Sequence, residues 1–322
     1  MKILIIGGGG MVGQKLARLL ASDPLSGGDE VTLLDMAFPE NGASAARRVE
    51  GNVTDHALMK SMATGRFDLV YHLAAIVSGE AEANFDLGWN VNMVAFRGFL
   101  EAFRAETAAS GGTYCPKIIF TSSIAVFGPP FPDKIGDDFP TMPRTSYGAQ
   151  KAISELMLGD YIRKGYFDGM SIRLPTICVR PGKANGAASS FFSGIIREPL
   201  SRKEAILPVS DTVRHWHASP RSAAGFLRHA ATLDLDRLGG HRALNMPGVS
   251  CTVAEQIEAL RDVAGESAVS LIRPEPDETI MKIVAGWPRN FAPERAIRLG
   301  FAADPDFASI VQTYIEEDMP AT

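Results

Sequence analysis

Apolar runs and helical spacings alternate along the first half of the chain. Ile3-Leu4-Ile5-Ile6 is an uninterrupted apolar run with β-branched residues, and Met11–Ala21 follows with Val12, Leu16, Leu19 and Leu20 at helical spacing. Strand-like runs recur at Val31-Thr32-Leu33-Leu34, Leu69-Val70-Tyr71-His72-Leu73 and Lys117-Ile118-Ile119-Phe120. Helical stretches separate them, the clearest at Asn92–Ala105. Strands that are apolar throughout, rather than alternating, belong in a parallel sheet covered by helices on both faces. Right-handed crossovers then make the expected architecture an α/β fold with a doubly wound parallel sheet.

Beyond Lys151 the pattern loosens. Ser171-Ile172-Arg173-Leu174 and Ala243-Leu244-Asn245-Met246 read as strands, while Pro181–Pro208 is rich in Gly, Ser and Pro around a short apolar helix at Ile195-Ile196. Thr252–Val263 reads as a helix with Thr252 as N-cap and Glu255 at capping-box spacing. The last expected helix begins near Pro293 and closes at Gly300. No internal repeat or low-complexity linker interrupts the chain. Residues 1–178 are expected to form the first domain, with 206–248 returning to it, and 179–322 mainly a smaller C-terminal region.

At 322 residues there is room for one large α/β domain and a small appended one. A content of 46% hydrophobic and 21% charged residues is that of an ordinary soluble globular protein. A net charge of −5 supplies no global attraction to nucleic acid or to an anionic membrane. No apolar run approaches the ~20 residues that span a bilayer. The chain opens directly on a strand, which leaves no room for a signal peptide, so a cytoplasmic location is expected. Cys115, Cys178 and Cys251 are odd in number and too scattered for a zinc site or a disulfide framework, which fits a reducing compartment.

Gly7-x-x-Gly10-x-x-Gly13 follows the first strand and opens the first helix. Glycine permits the tight turn and lets the backbone approach a pyrophosphate at the positive helix N-terminus. Asp35 ends the second strand, where a carboxylate holds adenosine ribose hydroxyls and repels a 2′-phosphate. Met36-Ala37-Phe38 offers no arginine to receive that phosphate, so NAD is expected over NADP. In Gly51-Asn52-Val53-Thr54-Asp55, Asn52 either meets the adenine or belongs to a polar turn that Asp55 caps. His72-Leu73-Ala74-Ala75 ends a strand on small residues, suiting close passage of a cofactor, and His72 itself reads as a packed histidine. Arg214-His215-Trp216-His217 has two histidines at i, i+2 without a third ligand, so an anion-binding Arg214 is expected and no metal. Tyr161, Tyr166 and Phe167 read as core or interface.

Tyr147-Gly148-Ala149-Gln150-Lys151 places a phenol and an ammonium on one helical face, Cβ atoms about 5–6 Å apart. A free phenol, with a pKa near 10, is a poor base at neutral pH, and a neighbouring lysine favours the phenolate. Lowering that value to about 7 requires roughly 4 kcal/mol of differential stabilisation, within reach of one desolvated ammonium and a second positive charge. A serine from Phe120-Thr121-Ser122-Ser123 would hold the substrate oxygen while its proton leaves.

With these motifs in order, the chain resembles the extended short-chain dehydrogenase/reductase family along nearly its whole length. The resemblance rests on Gly7/Gly10/Gly13, Asp35, His72–Ala75, Asn92, Phe120–Gly128 and Tyr147-x-x-x-Lys151. It implies a Rossmann fold with a smaller C-terminal substrate-binding region, Ser123, Tyr147 and Lys151 as catalytic residues, and Asn92 as a structural asparagine. NAD contacts are implied at the turn (Gly7, Gly10, Met11, Val12, Gly13), at Asp35, at Asn52 and Val53, and at Leu73, Ala74 and Ala75. Further contacts are implied at Asn92, Thr121, Tyr147 and Lys151, and at Pro175 and Ile177.

Nucleotide-sugar epimerases and dehydratases of this family carry an asparagine where Arg173-Leu174-Pro175-Thr176 has Thr176. That departure, with Ala188–Gly194 and Arg214–Arg221, makes the chain similar to a branch that oxidises four-carbon sugar acids at C2 with NAD. The implied substrate is a small hydroxy acid, with Ser123 and Tyr147 on its 2-hydroxyl, Arg214 on its carboxylate, and Ser78, Ser189 and Ser190 on the remaining hydroxyls. Two alternatives stay open. One is a nucleotide-sugar epimerase or dehydratase using the same triad, and the other a non-catalytic NAD-sensing protein, which has no use for a tuned phenolate. The family pairs subunits through helices matching Asn92–Ala105 and Tyr147–Lys164, implying a homodimer joined by a four-helix bundle.

Overall fold

The structure is a computed structural model that describes residues 1–43, 46–182 and 188–319. Residues 183–187 of the Gly/Ser/Pro-rich stretch therefore lie outside the described residues. In chain order the strands are β1 (Lys2–Ile6), β2 (Glu30–Asp35), β3 (Arg47–Glu50), β4 (Leu69–His72), β5 (Lys117–Ser123) and β6 (Asp168–Leu174). They continue with β7 (Thr176–Ile177), β8 (Ala205–Leu207), β9 (Arg214–Ala218), β10 (Ala243–Asn245), β11 (Val249–Thr252) and β12 (Ile272–Pro274). The first helices are α1 (Met11–Ser22), α2 (His56–Thr64), α3 (Ser78–Ala83), α4 (Phe85–Trp89), α5 (Phe96–Ala109) and α6 (Ser146–Arg163). The later ones are α7 (Ser190–Leu200), α8 (Pro220–Thr232), α9 (Val253–Ala264), α10 (Glu266–Val269), α11 (Glu278–Ala285), α12 (Glu294–Arg298) and α13 (Phe307–Glu317).

The chain divides into two compact units. The first comprises residues 1–126, 145–173 and 224–244, and the second 127–144, 174–223 and 245–322. Relative to the expected boundary at 178, the first unit ends its main run at Arg173 and lacks 127–144, and the part that returns to it is 224–244.

A seven-stranded sheet in the order β10-β6-β5-β4-β1-β2-β3 organises the first unit. The pairs from β3 to β5 are all parallel. The doubly wound sheet expected from the apolar runs is thus present, and Ile3 to Ile6 are fully buried. Strand order reverses between β1 and β4, whose registers align Ile6 with His72. The carboxyl ends of these two strands, at Gly7 and Leu73, therefore flank the point where open α/β sheets bind their ligands. The rings of His72, Phe96, Phe99 and Phe120 pack beneath it with centroids 4.6–6.1 Å apart.

One expected element differs in kind. The helix expected from Asn92 starts within a π-helical turn, Asn90–Ala95, before α5 begins at Phe96. Asn92 is buried there, and its amide bonds Ile76 and Gln150 rather than solvent. A widened turn of this kind is common where a helix presents a buried polar group.

In the second unit, β9 pairs antiparallel with β11 and parallel with β7, while β8 and β12 form a two-stranded parallel ladder. Phe192, Ile195 and Ile196 of α7 pack with Leu260 of α9 and with Ile310, Val311 and Tyr314 of α13. Helix α9 carries the expected capping box between Thr252 and Glu255. The helix expected from Pro293 to Gly300 is the short α12, and it is not the last. Helix α13 follows it, capped by Asp306 accepting from Ser309 N at 2.7 Å, with its buried residues at helical spacing. No helix among the described residues is long and apolar enough to cross a membrane.

Candidate active site

The glycine turn is shaped by backbone contacts. Gly7 and Gly8 both donate to Leu34 O, at 2.8 and 3.1 Å. Gly7 has φ +88°, and a Cβ added there would stand 2.6 Å from Ala74 N. On Gly9 it would stand 2.1 Å from Ala37 O, and on Gly13 2.4 Å from Gly7 O. Only glycine leaves this cradle open. Gly10 is the N-cap of α1 and no side chain caps the helix, so its first-turn N–H groups face outward as a ready anion site.

Asp35, the expected ribose partner, is engaged with the turn itself. Its Oδ2 accepts from Gly9 N at 2.9 Å and its Oδ1 from Met36 N at 2.7 Å, so the carboxylate also pins the turn. Gln14, which no motif marked, closes the other side: its Nε2 donates to Gly8 O at 2.5 Å and its Oε1 accepts from Ala43 N at 2.7 Å. Gln14 is buried. A glutamine falling on the otherwise apolar face of α1, beside Gly13, Leu16 and Ala17, was the available signal.

Around the cradle, Leu73 and Ala74 donate to Ile6 O at 2.8 and 3.1 Å, which holds Leu73, Ala74 and Ala75 beside Gly7. Asp55 caps α2 by accepting from Ala57 N and Leu58 N, and exposed Asn52 accepts from Thr54 N at 3.0 Å. Val53 packs on the core. These polar contacts, the open glycine cradle and Asp35 fit a dinucleotide.

The residues expected to transfer the proton lie on β5 and α6. Thr145 N-caps α6 by accepting from Gly148 N at 3.1 Å, and Glu82 accepts from Ser146 N at 2.9 Å, which fixes the helix start one residue before Tyr147. Lys151 is 3% exposed, and its Nζ donates to Thr121 O at 2.7 Å. The same Nζ lies 4.5 Å from the Phe120 ring centroid and 5.6 Å from that of Tyr147. The structure thus brings Tyr147, Lys151 and the end of β5 together. Ser123 lies two residues past Thr121, half-buried, with its Oγ accepting from Ala125 N at 3.1 Å. Burial lowers the Lys151 pKa to about 7, against an opposing pull from the Glu155 carboxylate. Burial, with the Lys151 charge beside it, pushes His72 down to about 3, so that histidine is neutral packing. Asn92 ties this helix to the Ile76 segment, its Nδ2 donating to Gln150 Oε1 at 2.7 Å and its Oδ1 accepting from Ile76 N at 2.8 Å. Ser78 is half-buried at the first position of α3.

The remaining expected residues belong to the second unit. Pro175 and Ile177 are buried. Ser189 is buried and accepts from Arg180 Nη2 at 3.0 Å, next to Ser190 at the start of α7. Arg180 is further held by its Nε donating to Ile177 O at 3.0 Å, and no sequence motif singled it out. Arg214 is paired already, its Nη2 standing 3.1 Å from Glu255 Oε2 and its Nη1 donating to Ser250 O at 3.0 Å. His215 is not poised as a ligand: Nδ1 lies 2.9 Å from Pro288 O and Nε2 2.7 Å from Thr176 Oγ1. A carbonyl only accepts, so Nδ1 carries the proton and the Thr176 hydroxyl donates to Nε2. Among the described residues no group of three or more His, Cys, Asp or Glu could hold a metal ion.

The chain is similar to known proteins along most of its length. The family model described as NAD dependent epimerase/dehydratase family matches residues 3–227. D-erythronate dehydrogenase of Cupriavidus necator is 44% identical over 98% of this chain and 98% of its own. D-erythronate dehydrogenase of Haemophilus influenzae is 41% identical over 99% of this chain and 100% of its own. A crystal structure described as a nucleoside-diphosphate-sugar epimerase from Agrobacterium tumefaciens is 51% identical, with a TM-score of 0.93 over 99% of this chain and 94% of that one. A glycine cradle pinned by Asp35, a buried lysine one helical turn from Tyr147, and a match across most of the chain lead to one assignment: the protein belongs to the NAD dependent epimerase/dehydratase family.

Proposed function

We propose that this protein is an NAD-dependent dehydrogenase that oxidises D-erythronate at C2 to 2-dehydro-D-erythronate, with release of a proton. The observation that carries the substrate is the pair of D-erythronate dehydrogenases matched end to end at 41–44% identity. NAD, held by Gly7–Gly13, Asp35 and the Leu73–Ala75 segment, supplies the hydride acceptor when bound. Tyr147 takes the 2-hydroxyl proton, Ser123 donates a hydrogen bond to the same oxygen, and Lys151 stabilises the phenolate from its buried position over Thr121 O. Arg214 is the proposed partner of the substrate carboxylate, in exchange for Glu255, and Ser78, Ser189 and Ser190 are proposed for the remaining hydroxyls. Thr176, committed as a donor to His215, stands where epimerases of the family carry an amide, which supports a small acid over a nucleotide sugar.

The description of the Agrobacterium relative favours a second reading, a nucleotide-sugar epimerase on the same residues. A panel of C4 and C5 aldonates and UDP-sugars, assayed for NADH formation and for epimerised product, separates the two. Turnover of D-erythronate above the other acids is expected. Activity on a nucleotide sugar with silence on every hydroxy acid would overturn the proposal.

The proposed assembly is a homodimer through α5 and α6. Val94, Ile153 and Leu156 are apolar yet exposed on this helical layer, Leu156 to 74%. The three cysteines are free thiols, in keeping with a cytoplasmic site of action.

A further inference from the structure

One turn beyond Lys151 on the same helix, Glu155 is buried, and its carboxylate meets a second buried charge from β6. Arg173 Nε donates to Glu155 Oε1 and Oε2 at 2.9 and 3.1 Å, and Arg173 Nη2 donates to Oε2 at 2.7 Å. Lys151, Glu155 and Arg173 are therefore three buried charged side chains in the interior of the first unit. Stability gives little reason for this, because well-packed apolar residues of similar volume are usually as stable as a buried ion pair or more so. Proton transfer at Tyr147 gives a reason.

We propose that Glu155 is a positioning residue for the reaction: its carboxylate, placed by the Arg173 fork, holds buried Lys151 in the ammonium form beside Tyr147. The inference rests on the general-base reading of Tyr147 above. Lys151 has the Tyr147 ring and, one turn on, the Glu155 charge from α6, the Thr121 carbonyl and Phe120 ring from β5, and neutral His72 from β4. Among these groups Glu155 supplies the anionic charge. Burial works to discharge the ammonium, and the Glu155 carboxylate works against it. Arg173 orients that carboxylate through its three hydrogen bonds. A carboxylate at i, i+4 separation, its charge partly offset by Arg173, is worth about one pH unit in a part-desolvated site.

Glu155→Gln preserves shape and removes the charge, whereas Glu155→Asp keeps the charge and spoils the fork. The first readout needs no substrate: the pH dependence of urea unfolding, compared between each protein and its Lys151→Met derivative. Native Lys151 loses its proton near 7 and the unfolded chain near 10.4, so the unfolded state binds more protons between these values and stability rises with pH there. In Glu155→Gln that rise begins about one pH unit lower, and in Glu155→Asp it begins where it does in the parent. The falling alkaline limb of kcat/KM moves in the same way. If Glu155→Gln fails to fold, the neutral pair Glu155→Gln/Arg173→Met takes its place, with a smaller displacement in the same direction because a nearby cation is removed as well. An unmoved linkage window in Glu155→Gln, or a limb displaced by Asp and not by Gln, would overturn the proposal. Absence of D-erythronate turnover in the parent would remove the substrate reading alone, since the unfolding linkage still decides the role of Glu155.

Discussion

Alanine at Gly13 and at Gly10 separates the part of the glycine turn that folds the chain from the part that meets the cofactor. At Gly13 the added Cβ would lie 2.4 Å from Gly7 O and 2.8 Å from Gly8 Cα. Both neighbours are backbone, so the overlap of roughly 1 Å has no flexible side chain to absorb it. Overpacking of this kind costs about 1–3 kcal/mol, less about 1 kcal/mol gained by placing alanine in a helix. A net loss of up to about 2 kcal/mol is expected in urea unfolding of the apoprotein. At Gly10 the backbone is extended, with φ −71° and ψ 165°, and the nearest neighbour of an added Cβ is Gly7 O at 3.4 Å. Alanine is the poorer N-cap, but it also restricts the unfolded chain, and the two effects leave stability within about 0.5 kcal/mol of the parent. The new methyl would stand at the start of α1, where the pyrophosphate is proposed to approach. Fluorescence titration with NADH should therefore show at least a tenfold weaker affinity for Gly10→Ala. Equal destabilisation by the two changes, or parental NADH affinity in Gly10→Ala, would refute the reasoning.

Tyr147→Phe should bind NADH nearly as the parent does while kcat falls about 10²–10⁴-fold, the usual worth of a positioned general base; near-parental turnover would remove the assignment. Burial holds His72 near 3, His215 near 4 and His217 well below its ordinary value, while the unfolded chain protonates all three near 6.5. The stability they carry is complete above that value and is lost as pH falls toward 4, by up to about 1.4 kcal/mol per pH unit for each histidine. Urea titrations between pH 4.5 and 6 test this, and a slope below one proton would contradict it. Leu156→Glu should convert a dimer to monomers in sedimentation velocity without loss of helical circular dichroism, and an unchanged sedimentation coefficient would count against the α5–α6 interface.

Much of the site was legible because it is local. The Gly7–Gly13 turn, Tyr147 with Lys151, and the Thr252–Glu255 box are relations within one turn or one loop, and spacing along the chain decides them. Two local readings still went astray. The helix expected from Asn92 opens in a π-helical turn because a buried amide must reach Ile76 and Gln150. The helix expected to be last is followed by α13, whose apolar stripe finds its partners in α9, far away in sequence.

By itself, then, the sequence determined the doubly wound sheet, the glycine turn and the spacing of Tyr147 and Lys151, since each follows from periodicity and nearest neighbours. The tertiary structure alone decided which charges are buried and what they face. Glu155 meets Arg173 across two elements, Thr176 donates to His215 on a neighbouring strand, and Arg214 spends its fork on Glu255. It also decided that Lys151 is stripped of water. Desolvation and long-range pairing depend on what the fold packs around a residue, and no spacing pattern encodes that.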